Sequence, residues 1–135
     1  MDNKTIVDKV GAFFGVSSTL AVGVYVYGSI ARGDARSSSD VDVAVLYQQT
    51  PRATLDGLGL DIAGALEHQL GRRVDLVILN RVSVDLIHRI LRDGILVYDS
   101  DPAARIRFEV KARNDYFDLL PYLREYRRPA LKVRS

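Results

Sequence analysis

The chain opens with apolar residues at helical spacing. Ile6, Val10, Phe13 and Phe14 share one face, and Asp2 stands where an N-cap belongs. Gly15 and the Ser17-Ser18-Thr19 cluster end that helix. Residues 20–27 are rich in Val and Tyr and predict a buried strand. Gly28-Ser29 follows at once, then a short polar stretch, and residues 41–47 predict a second strand. Residues 51–70 predict a helix with Leu55, Leu58, Ile62, Leu66 and Leu70 on one face, and Gly71 sits where its C-cap belongs. Residues 74–79 predict a third strand, 83–93 a short helix closed by Gly94, and 95–98 a short fourth strand. Asp101 then offers a cap and Pro102 a first helical residue for a helix to about residue 120. Pro121 kinks that helix or begins a new turn through residue 128.

Strands and helices alternate along the chain, and the strands are short, apolar and nearly continuous. That pattern predicts an α/β (α+β) fold, a sheet with helices packed on it and both faces largely covered. With 135 residues there is room for one domain, 1–135, and its core. Cysteine is absent, which excludes disulfides, a thiolate zinc site and a cysteine nucleophile. The apolar run 20–27 is too short to span a bilayer, and the polar N-terminus lacks the apolar segment of a signal peptide. A cytoplasmic protein with no membrane partner is expected.

Charge changes the picture at one end. Residues 1–101 carry 10 Lys/Arg against 13 Asp/Glu, a net −3, whereas residues 102–135 carry 9 against 4, a net +5. The helical segment 102–128 is therefore a basic element on a mildly acidic body, an expected partner surface. The net charge of +2 and the lack of a recognisable nucleic-acid motif argue against direct nucleic-acid binding.

The chemistry concentrates in residues 27–47. Gly28-Ser29 is followed, ten residues later, by Asp40-Val41-Asp42. Residues two apart in a strand project to one side, so Asp40 and Asp42 present two carboxylates together. Such a pair repels itself unless a cation sits between, and hard oxygen ligands suit Mg²⁺ or Mn²⁺. Glycine at a strand end lets a phosphate approach the backbone, where N–H groups and the Ser29 hydroxyl can bind it. Asp75 lies inside an apolar strand, where a buried carboxylate needs a cation or donors. If its strand lies beside the second one, Asp75 joins Asp40 and Asp42 around two metals, an arrangement suited to in-line phosphoryl transfer.

This pattern, G-S-x₁₀-D-x-D with a third aspartate on a later strand, resembles the DNA polymerase β-like nucleotidyltransferase superfamily. The size, the Ala31-Arg32-Gly33 element and the C-terminal aromatic–arginine stretch (Phe108, Tyr116-Phe117-Asp118-Leu119, Tyr122, Tyr126-Arg127) are similar to its minimal nucleotidyltransferases, the MNT family. The resemblance implies a short mixed sheet flanked by helices. It implies transfer of AMP from ATP to a hydroxyl, with Gly28 and Ser29 on the phosphates and Asp40, Asp42 and Asp75 on the metals. Arg32 becomes a triphosphate ligand by analogy with phosphate-binding arginines. Many members are encoded beside HEPN-domain toxins as their antitoxins, with a toxin tyrosine as acceptor. Two alternatives stay open: an aminoglycoside-type small-molecule nucleotidyltransferase, and an antitoxin that acts by binding without catalysis.

Each residue also has an ordinary reading. Gly28-Ser29 makes a common turn. Asp40 can end a loop. Asp75 can pair with Arg72 or Arg73. Arg32, Asp34 and Arg36 can be solvated charges. His68 and His88 have no triad or metal spacing and read as surface or core-edge residues. Tyr116, Tyr122 and Tyr126 read first as packing.

Overall fold

The computed structural model describes residues 2–17, 19–36, 38–54, 57 and 59–126. The elements run α1 (Asn3–Val16), β1 (Ala21–Tyr27), α2 (Gly28–Arg32), β2 (Val41–Tyr47), α3 (Leu60–Leu70), β3 (Val74–Ile78), a 3₁₀ turn (Leu79–Arg81), α4 (Val84–Asp93), β4 (Ile95–Asp99) and α5 (Pro102–Tyr126). The sheet order is β3-β2-β1-β4. β1 is antiparallel to both β2 and β4, whereas β2 and β3 are parallel, so the sheet is mixed as expected. The parallel pair needs a crossover, and α3 supplies it.

Each face of the sheet has its own core. On one, Ile6, Val10 and Phe14 of α1 and Leu66 and Leu70 of α3 pack on Val24, Val26, Val41, Val43 and Val45. On the other, Ile87 and Ile90 of α4 and Ala112 of α5 pack on Tyr25, Ala44 and Leu46. Both faces of β1 and β2 are thus covered, which explains their unbroken apolar sequence.

Asp2 caps α1, its carboxylate accepting from the Thr5 N–H at 2.8 Å. α3 differs from expectation. It starts at Leu60, nine residues later than Pro51, because Gly59 before it holds a left-handed φ of +83° that breaks any helix arriving from upstream. Leu55 and Leu58 lie outside the described residues; Ile62, Leu66 and Leu70 pack inward as predicted. α5 runs through Pro121 to Tyr126 without a break.

α5 is clamped to the sheet by a polar network that the basic composition of the segment concealed. The Arg105 guanidinium donates to Asp99 at 2.9 Å and to Glu109 at 3.0 and 3.1 Å, with only 16% of its side chain exposed. Glu109 also accepts from the Tyr25 hydroxyl at 2.6 Å. Burial and that carboxylate push the Tyr25 phenol far above its ordinary range, so it remains a donor. Arg105 is therefore a structural residue rather than a contact cation. Arg105→Ala strands two carboxylates, and the expected loss is about 2–4 kcal/mol of stability. Urea unfolding checks it, and an unchanged midpoint refutes the clamp.

Candidate active site

The site forms where β1 and β2 meet at one end of the sheet. β1 ends at Tyr27 and the chain turns directly into α2. Gly28 makes this turn at φ +71°, a left-handed conformation that disfavours a side chain. A second constraint was not visible in sequence. A Cβ on Gly28 would collide with the Asp42 carboxylate, so the glycine makes room for the acid as well as for the turn. Ser29 follows in the first turn of α2, where no side chain caps the exposed N–H groups. Gly33, with φ +80°, closes α2 after Arg32.

Asp42 is the second residue of β2. It lies opposite Tyr27 across the antiparallel pair and opposite Asp75 across the parallel pair. Register partners in adjacent strands point to the same face and stand about 5 Å apart. Tyr27, Asp42 and Asp75 thus form one row across three strands, at the rim of the α4/α5 face. Asp40 lies just before β2 and is exposed. Asp42 is half-buried, and its carboxyl is raised above the ordinary range, first by burial and then by the charges of Asp75 and Asp40, with Arg32 opposing. The predicted groups Asp40, Asp75 and Arg32 therefore all lie within electrostatic reach of Asp42.

Asp75 departs from expectation in one respect. It is exposed rather than buried, on β3 at the edge of the sheet. It forms no ion pair with Arg72, whose guanidinium donates instead to the carbonyls of Arg36 at 2.8 Å and Ser39 at 2.6 Å. Arg32 is 55% exposed and makes a 3.3 Å contact with Asp34. His68 is exposed, and His88 stacks on Tyr116 at 3.5 Å.

Two neighbours were missed in the sequence. Tyr27, half-buried in the row, has its phenol pushed up to about 12 by burial and by Asp42 and Asp75. Arg89 of α4 opposes that shift and so lies within electrostatic reach of the same rim. The position of Tyr27 directly before Gly28-Ser29 was a legible signal. Arg89 had none, since only the packing of α4 brings it there.

No cationic side chain among the described residues forms an ion pair with Asp40, Asp42 or Asp75, and three such carboxylates around one rim fit a divalent cation. Among the described residues no three acids or histidines converge as a preformed metal cage. Magnesium held by one or two carboxylates, with substrate phosphates and water completing its shell, needs none.

Residues 18–103, well over half of the chain, match the family model described as polymerase beta, nucleotidyltransferase. The chain belongs to the polymerase β nucleotidyltransferase family. Within this family it is 33% identical, over 72 residues that cover 53% of this chain and 70% of the relative, to the protein adenylyltransferase MntA of Thermococcus cleftensis. Its fold is shared by a toxin–antitoxin crystal structure with AMP-PNP (TM-score 0.71, 24% identity, 96% of this chain and 98% of the other covered). It is shared also by an MNT antitoxin in complex with a tri-AMPylated HEPN toxin of Shewanella oneidensis (TM-score 0.67, 21% identity, 98% and 99% covered). The nucleotidyltransferase fold thus extends beyond the matched segment into α5. Among the described residues no helix is long and apolar enough to cross a membrane.

Proposed function

We propose that this chain is a Mg²⁺-dependent protein adenylyltransferase that transfers AMP from ATP to a tyrosine hydroxyl of a HEPN-domain toxin in the cytoplasm, neutralising it as an antitoxin. The observation that carries the chemistry is the in-register pair Asp42–Asp75, with Asp40 beside it and the Gly28 turn against Asp42. The likeness to MntA and to MNT antitoxins bound to HEPN toxins supports the acceptor.

Asp40 and Asp42 would hold the metal, Mg²⁺ or Mn²⁺. Asp75, exposed at the sheet edge, would hold a second ion and orient the attacking hydroxyl. Gly28 and Ser29 would bind the β- and γ-phosphates, and Arg32 would add positive charge on the triphosphate. Bound metal supplies charge neutralisation at the phosphates and lowers the pKa of the attacking hydroxyl. A carboxylate alone is too weak a base for a phenol, so Asp75 contributes mainly by orientation. Asp40 and Asp75 both face solvent, which leaves the site open to a side chain presented by another protein. The partner surface lies in segment 102–128, where Arg107, Arg113 and Arg124 are exposed and Arg127 and Arg128 lie outside the described residues.

The test is intact-mass spectrometry of the protein encoded beside this chain, which this reading expects to be a HEPN-domain toxin. With this protein, ATP and Mg²⁺, its mass should rise by about 329 Da per AMP transferred to an acceptor oxygen. Chelation of the metal should abolish the rise. An unchanged mass, with adenylylation of an aminoglycoside instead, overturns the protein-acceptor reading.

A further inference from the structure

α5 buries Ala112 and partly buries Phe108 against the sheet and α4. Its opposite side carries a second pattern. Ile106, Val110, Arg113, Phe117, Pro121 and Arg124 recur at spacings of three and four, the seam by which one helix packs on another. Every one of them is exposed. The apolar members are open to a degree unusual for their type: Ile106 is 49%, Val110 45% and Phe117 57% exposed. The charged members are both arginines, and the stripe contains no carboxylate.

The stripe continues toward the catalytic rim. Between α4 and α5 lies a hollow of about 290 Å³ lined by His88, Leu91, Arg92, Ala112, Arg113 and Phe117. The stacked rings of His88 and Tyr116, 4° from parallel, fix the seam between the two helices. α4 ends at Asp93, which is paired with Arg92 at 2.7 Å and lies within electrostatic reach of both His88 and Arg32. Arg32 in turn acts on Asp42. Electrostatic influence thus runs from the α4 side of the hollow through Asp93 and Arg32 to Asp42.

We infer that this seam docks an amphipathic helix of the acceptor protein, whose apolar ridge covers Ile106, Val110 and Phe117 and whose carboxylates meet Arg113 and Arg124. The inference rests on the protein-acceptor reading and specifies how that acceptor is held. Charge complementarity selects the occupant. A second copy of this chain would bring only the same two arginines to the seam and no acid to meet them. A helix laid in an apolar groove with arginine anchors is a familiar recognition mode.

The experiment titrates the protein encoded beside this chain, a HEPN-domain toxin on the proposed reading, with this protein by calorimetry, without ATP, using wild type, Val110→Glu and Arg113→Glu. Both positions are exposed, and melting temperatures close to wild type verify the fold. Each variant should weaken binding by about tenfold or more, while Lys9→Glu on α1 should bind as wild type. Wild-type affinity in both seam variants overturns the docking face, and AMP transfer to the neighbour after ATP and Mg²⁺ are added then shows that the adenylyltransferase reading survives. Absence of any binding by wild type overturns the inference too. Sedimentation and labelled single-stranded RNA distinguish other occupants: self-association lost in Val110→Glu assigns the seam to a second copy, and RNA binding lost in Arg113→Glu assigns it to nucleic acid. Either result overturns the inference.

Discussion

Asp42→Asn should lower AMP transfer more than about a hundredfold, since changes one shell outside a metal already cost 10–100-fold. The metal-free variant should nonetheless melt higher than wild type. Both effects come from one arrangement. Asp42 is half-buried, faces Asp75 in register and feels Asp40, so its charge is unfavourable until a cation arrives. The folded protein holds the Asp42 proton more tightly than the unfolded chain, whose carboxyl stays near 3.8. The cost to stability is therefore present at neutral pH and fades as pH falls through the raised folded value. The melting difference between variant and wild type should narrow over that range. Labelled-ATP transfer and thermal melts with EDTA check the two halves. Retained transfer removes Asp42 from the metal site, and a lower melting temperature at neutral pH removes the charge-repulsion argument. Asp40→Asn should share the loss of transfer with a smaller rise in melting temperature, because Asp40 is exposed.

Gly28→Val should abolish ATP binding and also destabilise the protein. A valine at φ +71° is strained by about 1–3 kcal/mol. Its Cβ would in addition displace the Asp42 carboxylate from the position the turn reserves for it. Calorimetry with ATP and Mg²⁺, together with urea unfolding, separates the effects. A combined Gly28→Ala, Asp42→Asn variant should keep the collision, because asparagine occupies the same space, and should gain over Gly28→Ala only what Asp42→Asn gains over wild type. Wild-type nucleotide affinity in Gly28→Val excludes the phosphate-turn role, and an unchanged unfolding midpoint excludes the collision. The two losses arise from different causes: the turn's conformation and its contact with the acid.

The local rules of the chain determined most of the elements and marked Asp40 and Asp42 as the candidate acidic pair. Helical spacing with an Asp cap defined α1, and β-rich runs bounded by Gly and Ser defined β1 and β2. The spacing from Gly28 to Asp42 sets the turn and the carboxylates near the facing ends of β1 and β2. The start of α3 was misplaced because apolar periodicity continues upstream of Gly59, and periodicity does not report the left-handed backbone that interrupts it. What the tertiary structure decided is everything that depends on strand order and helix packing. Pairing β3 beside β2 in parallel brought Asp75 level with Asp42. Placing β3 at the edge left Asp75 exposed, although its apolar neighbours in sequence imply burial. Packing α5 on β1 and β4 took Arg105 out of the basic surface and into a clamp with Asp99 and Glu109. Composition counts charges, but only the fold determines which of them face a partner, because a side chain's surroundings are set by residues far away in sequence.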